Sequence, residues 1–149
     1  MFKIILFISG GLLPVLGISL LPSMIHAYLN EREDYANSLL FLLLSSLLIS
    51  YLIRKYISPS RQLNTIQGFG SVGLSWILLS LFGTLPYIFS DINLSYIDIL
   101  FETISGLTTT GSSIITNVES VDKSLLIWRS TTQWLGGMGV IVLTITVLP

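Results

Sequence analysis

Charged positions fall in short clumps along the chain, and the stretches between them are predominantly apolar. Residues 4–30, 35–53, 62–90, 103–118 and 130–149 carry no Lys, Arg, Asp or Glu, giving runs of 27, 19, 29, 16 and 20 positions. A helix needs about 20 apolar residues to cross a ~30 Å hydrocarbon core. Four of the five runs meet that length or nearly so, which predicts membrane spans near 4–29, 35–56, 68–90 and 126–148. Pro14 and Pro22 predict a kinked or interrupted first span, tolerable where neighbouring helices satisfy the freed carbonyls. A secretory signal is the other reading of the first run. It outlasts the 7–15 apolar residues of a signal and lacks a small-x-small cleavage site around Ile25-His26-Ala27.

Composition supports the membrane reading. Charged residues make up 10% of the 149 and apolar residues 52%, with mean hydropathy +0.82. A soluble domain carries about 25% charge. Seven Lys and Arg against eight Asp and Glu give a net charge of −1, with no basic surface for nucleic acid. Cys is absent and there is a single His, so disulfides, thiolate metal sites and His clusters are excluded. No nucleophile–base pair or metal-ligand spacing stands out, and no enzyme activity or cofactor is expected. Lys3, Arg54, Lys55 and Arg61 share one side of the predicted spans, which orients the N-terminus to the cytoplasm.

Segment 91–125 is different in kind. Ser95-Tyr96-Ile97-Asp98 reads as a weaker relative of the capping box and starts a helix that Gly106 is expected to stop. Eleven residues rise roughly 16 Å, about half a bilayer, so this helix does not cross. Leu107-Thr108-Thr109-Thr110-Gly111-Ser112-Ser113 follows, polar and poorly helical. Non-helical backbone at membrane depth survives where it is buried in protein or lines a water-filled cavity. A half-helix aims its negative C-terminal end at the Thr run, and successive carbonyls of an extended strand can replace a cation's hydration shell. Gly111 admits torsions closed to residues with a Cβ. The plain alternative is an extramembrane loop with an inconsequential Ser/Thr patch. The apolar face Ile97, Leu100, Phe101 and Ile104 favours re-entry into the membrane.

Phe101-Glu102-Thr103-Ile104-Ser105-Gly106-Leu107-Thr108-Thr109-Thr110-Gly111 resembles the first pore loop of the Trk/Ktr/HKT cation transporters. Trp128-Arg129 and Gln133-Trp134-Leu135-Gly136-Gly137-Met138-Gly139 resemble the start of the next helix in the TrkH branch. The spacing of the two blocks, Leu85-Pro86-Tyr87 and the extra N-terminal hairpin agree with that branch. The resemblance implies an all-α integral membrane fold: a two-helix hairpin over 1–57, a cytoplasmic linker over 58–67, and a membrane helix–pore loop–membrane helix repeat over 68–149. Its pore half-helix would occupy 95–106 and its filter 107–113. It implies potassium uptake across a bacterial inner membrane, with K+ on the backbone carbonyls of Thr109 and Thr110, and Thr108 and Gly111 completing the filter. It also implies three further repeats, a homodimer and a TrkA-like cytosolic nucleotide-binding regulator. A single repeat is one quarter of a pore and is expected not to conduct alone. A truncated gene or a fragment would explain that length, and a non-conducting accessory protein or remnant is the rival reading.

Other features carry two readings each. Gly136, Gly137 and Gly139 fit tight packing against the pore helix or a gating hinge. Glu102 either braces the loop together with Gly106 or attracts cations to the mouth, and it shares a helix face with Asp98. Arg129 is expected to snorkel to the interface rather than to pair with an acid, and His26 to be interfacial. Gly68-Phe69-Gly70-Ser71-Val72-Gly73 satisfies G-x-G-x-x-G but lacks a preceding strand, so close helix packing is the expectation. The predicted orientation is open to a direct check. Alkaline phosphatase fused after Asp34 should be active outside the cell, and an inactive fusion would reverse the topology.

Overall fold

A computed structural model of the chain describes residues 2–57 and 65–147. Its elements are α1 (Phe2–Ile18), α2 (Leu21–Leu29), α3 (Glu33–Tyr56), α4 (Thr65–Gly83), α5 (Leu85–Ile88), α6 (Tyr96–Leu107) and α7 (Lys123–Val147), with a 3-10 turn at Val118–Ser120. Among the described residues all regular structure is helical. Two stretches of these residues are long and apolar enough to cross a membrane, Ile5–Leu29 and Glu33–Tyr56, and Val72–Ile88 is a shorter apolar stretch among them. Arg61 and most of the expected linker lie outside the described residues, as do Leu148 and Pro149.

The prolines act in different ways. Pro14 stays inside α1. It has no N–H to give to the carbonyl four residues back, which belongs to Gly10. Ser50 Oγ of α3 donates to that Gly10 carbonyl at 2.5 Å. The missing cross-helix Cβ at Gly10 helps, because one built there would come within 2.7 Å of Ile53. The interruption expected in the first span lies at Ser19–Leu20, and Pro22 occupies the first turn of α2, where no N–H partner is required. The third expected span is also broken. α4 ends at Gly83, Thr84 lies between the two helices with its hydroxyl on the Leu81 carbonyl, and Pro86 sits at the start of α5. The Gly83 carbonyl, no longer bonded onward, accepts from the buried Trp128 indole of α7 at 3.1 Å.

Helices with lipid around them gain little from burying apolar surface, so association rests on close packing and interhelical hydrogen bonds. Both are present. Gly17 lies so tightly against Ser46 that a Cβ would overlap its hydroxyl, and Ser9 donates to Ser75 at 3.0 Å. α1 packs on α3 and α4, α2 on α3 and α7, and α6 on α7 and α4. Leu16, Leu20, Leu39, Tyr87, Ile99, Leu107 and Trp128 belong to one continuous core that joins all of these. Of the glycine motif expected to serve close helix packing, Gly70 and Gly73 face open space among the described residues.

The start of α7 is pinned. Asp122 Oδ1 accepts from the Ser124 and Leu125 amides at 2.7 and 3.4 Å, capping the helix. Asp122 Oδ2 accepts from Arg32 Nη1 at 2.7 Å, and Ser23 donates to the Ser124 carbonyl at 2.6 Å. His26 Nδ1 meets Ser124 Oγ at 2.9 Å, so it serves this junction as well as lying near an expected membrane boundary. Burial pushes the Asp122 carboxyl up, but the hydrogen bonds from Arg32 and Ser124 and the Arg32 charge outweigh it, so its pKa lies below the ordinary value. A depressed carboxyl contributes stability above its unfolded pKa of about 3.9 and loses it as pH falls through the folded value. Asp122→Asn keeps a capping side chain and removes the charge. It should lower stability by about 1 kcal/mol at pH 7, and the gap to wild type should close as detergent-solubilised protein is melted at pH values falling to 3. A gap independent of pH would contradict the ion pair.

Candidate functional site

The site grows from the short helix α6. Its first turn is a complete capping box: Ser95 Oγ accepts from the Asp98 amide at 3.3 Å, and Asp98 accepts from the Ser95 amide at 3.2 Å. Asp98 is thus engaged at the N-terminal end and is not joined with Glu102 in one cluster. The helix runs one residue past the expected stop, with Gly106 inside it and Leu107 as its last residue. What Gly106 provides is proximity. A Cβ there would stand 2.6 Å from Thr132 Oγ1 of α7, just as one on Gly83 would stand 2.7 Å from Thr103.

Beyond Leu107 the backbone does not go straight into a strand. The Thr109 amide donates to the Gly106 carbonyl at 2.9 Å and the Thr110 amide to the Ser105 carbonyl at 3.0 Å. This paired pattern is the Schellman cap, whose key residue is left-handed and usually Gly. Here it is Thr109, at φ 58. A β-branched residue in that region is strained. Gly111 is also left-handed, at φ 76, whereas Thr108 lies at φ −86. Thr110 is absent from the positive-φ residues, so the sign of φ alternates from 108 to 111. The extended strand expected from sequence is therefore replaced, in its first half, by a helix cap and alternating hands. Thr108, Thr109, Thr110 and Gly111 are all exposed. Thr108 Oγ1 donates to the Ile104 carbonyl at 2.7 Å and lies 2.8 Å from Thr110 Oγ1.

The chain then folds back along α6 and is tied to it. Ser105 Oγ donates to the Ser112 carbonyl at 2.6 Å. Glu102, with no exposed surface, accepts at Oε1 from Ser113 Oγ (2.7 Å) and from the Ile114 amide (2.5 Å). Its Oε2 accepts from Arg129 Nε at 2.9 Å. Arg129 is thus held inward by an acid, in place of the expected snorkelling, because a buried carboxylate one helix away offers a charged hydrogen bond that the interface does not. α7 reaches this close through its glycines. A Cβ on Gly136 would overlap the Leu107 carbonyl, one on Gly139 would touch Trp76 at 3.1 Å, and one on Gly137 would sit 3.8 Å from Thr109. Among the described residues no group of three or more His, Asp or Glu is placed to hold a metal ion.

Sequence reading missed three parts of this arrangement. Thr109 carries no sign of its left-handed backbone, since only Gly advertises that freedom. Ser105 and Ser113 look like ordinary helix and loop residues until the return segment brings the Ser112 carbonyl to Ser105 and Ser113 to Glu102. Arg32 was visible as a lone cation among Glu31, Glu33 and Asp34, but its partners Asp91 and Asp122 lie far off in sequence.

The family model TrkH, described as a cation transport protein, matches residues 36–149. The chain belongs to the TrkH family. An uncharacterized cation transporter of Methanocaldococcus jannaschii is 36% identical over 148 residues, covering 97% of this chain and 30% of that protein. The Trk system potassium uptake protein TrkG of Escherichia coli K12 is 35% identical over 153 residues, 99% of this chain and 30% of the relative. TrkH of the same organism is 44% identical over 89 residues, 59% of this chain and 18% of the relative. The TrkH-family sequence in hand therefore spans about 30% of the length of the relatives that match nearly all of it.

The Glu102–Arg129 pair makes a sharp stability prediction. Arg129→Met leaves a buried carboxylate without its cation and should cost about 3–5 kcal/mol. Glu102→Gln combined with Arg129→Met should cost less than that single change, because no charge is stranded. Denaturant unfolding in detergent separates the cases, and simple additivity of the two changes would refute the coupling.

Proposed function

We propose that the chain is the N-terminal part of a potassium uptake protein and that residues 96–113 form its first re-entrant pore loop. The observation that carries this reading is the alternating sign of φ from Thr108 to Gly111 at the C-terminal end of α6. In a regular strand successive residues face opposite sides. Alternating hands are a way to turn neighbouring carbonyls to one side, as a row that replaces an ion's water must be. The helix end beneath them carries roughly −0.5 of an elementary charge, which favours a cation over an anion. The exposure of Thr108–Gly111, beyond the buried end of α6 at Ser105–Leu107, leaves that row free to face an ion path. Kinship with proteins named for potassium uptake chooses K+ among cations.

On this reading Thr108, Thr109, Thr110 and Gly111 coordinate K+ through carbonyl oxygens, and Glu102 and Gly106 support the loop. Gly136, Gly137 and Gly139 let α7 lie against it. The hairpin over 1–57 precedes the repeat over 68–149, joined by a cytoplasmic linker over 58–67. Helices α4 and α7 are the third and fourth spans, and the N-terminus is cytoplasmic in a bacterial inner membrane. Three further repeats complete the pore, two such proteins pair, and a TrkA-like nucleotide-binding protein regulates them. No cofactor takes part; K+ is cargo.

Gly111→Ser in the complete transporter tests the filter. A side chain at φ 76 costs about 1–2 kcal/mol in backbone strain, and a shift of that size is about tenfold in relative ion binding. Rubidium uptake in cells lacking their own potassium uptake should show the preference over Na+ reduced by about that factor. Unchanged selectivity with normal expression would overturn the assignment.

A further inference from the structure

The turn between α2 and α3 holds a device that the loop geometry alone does not explain. Arg32 splits its guanidinium between two carboxylates, Nη1 to Asp122 at 2.7 Å and Nη2 to Asp91. Those aspartates lie at the two ends of the segment that contains the 3-10 turn, α6 and the Thr run. Asp91 follows α5, and Asp122 caps α7. One side chain thereby closes a segment of about 30 residues at both its ends, where the entropy of an open loop would otherwise work against a fixed shape.

The closure is backed on the hairpin side. The Arg32 guanidinium lies 5.9 Å from the centre of the Tyr35 ring, and Arg32 donates its amide to the Ala27 carbonyl at 3.0 Å. Ser23 and His26 grip Ser124 from the same turn. Asp122 therefore does two things at once: it starts α7 and it fastens α7 to the hairpin. Two turns further along α7, Arg129 holds Glu102, and Glu102 holds the Ser113 hydroxyl and the Ile114 amide. A continuous set of bonds runs from the hairpin turn to the return limb of the loop.

We propose that Arg32 is a positioning residue for the ion path, closing both ends of the pore segment and fixing, through α7, the shape of Thr108–Gly111. This rests on the pore-loop reading above. The two arms are unequal. Asp91 is 88% exposed, while Asp122 is 23% exposed, and exposed pairs are weaker than sheltered ones. The Asp122 arm carries most of the effect. A planar fork is needed to reach two carboxylates, so Lys, a single point charge, replaces only one arm.

The test uses the complete transporter in cells without their own potassium uptake, together with hydrogen exchange of residues 107–115 in the purified protein. Arg32→Ala should raise the KM for rubidium and lower the preference over Na+, each by roughly fivefold, the equivalent of about 1 kcal/mol, with little change in maximal rate. Arg32→Lys should fall between, Asp122→Asn should exceed Asp91→Asn, and Arg32→Ala with Asp122→Asn should be no worse than Arg32→Ala alone. Exchange at 107–115 should quicken in the same order while α1 and α3 stay protected. If Arg32→Ala fails to fold, Asp91→Asn, at an exposed position, still reports one arm. Wild-type KM, selectivity and exchange in the folded variants would overturn the proposal. Absence of uptake by the unmodified protein would count against the pore-loop reading, and the exchange would then decide the closure by itself.

Discussion

A carboxylate with no exposed surface, Glu102, is the constraint on which the rest of the region depends. Taking a carboxylate out of water costs several kcal/mol unless charge and hydrogen bonds replace the lost hydration. Glu102 obtains them from three directions: a guanidinium on α7, a hydroxyl and an amide on the return limb. Each partner is thereby committed to a place. α7 must pass close enough for Arg129 to reach, which demands Gly106 and Gly136 at the crossing, and the return limb must lie along α6 rather than wander from it. The left-handed Thr109 is affordable in such a setting, since a strained backbone persists where its surroundings over-determine it.

The same logic extends outward. Trp128, fully buried, reaches the carbonyl left free where α4 breaks at Gly83. That break lets α5 turn away before α6 begins, so the short helix comes back beside α4, with Gly83 against Thr103. Helix ends, small residues and single buried polar groups organise the packing more than the apolar area does, as expected where lipid is the solvent.

Much of the helix order was legible because sparse charges punctuate the apolar runs, and because Ser95 and Asp98 mark a helix start by their spacing. Pro14 and Pro22 announced a disturbed first helix, though not that one would be bridged and the other would begin a new helix. The fate of Arg129 was not legible, because snorkelling and pairing use the same residue and only the approach of α6 to α7 decides. Thr109 was hidden for a different reason: its conformation comes from the cap of α6 closing over it, a cooperative property of six residues. The Arg32 bridge depends on contacts 59 and 90 positions away, and no local pattern encodes those.

The hydroxyl of Ser50 on the Gly10 carbonyl bears on the history of the chain in the membrane. A ribosome delivers α1 before α3, and until α3 arrives the Gly10 carbonyl has neither an N–H from Pro14 nor the hydroxyl of Ser50. An unsatisfied carbonyl in hydrocarbon costs several kcal/mol, so α1 has reason to remain near water, or beside the insertion machinery, while α3 is being made. Entry of the two helices as a pair would satisfy that carbonyl at once, a coupling set by the spacing of one proline and one serine.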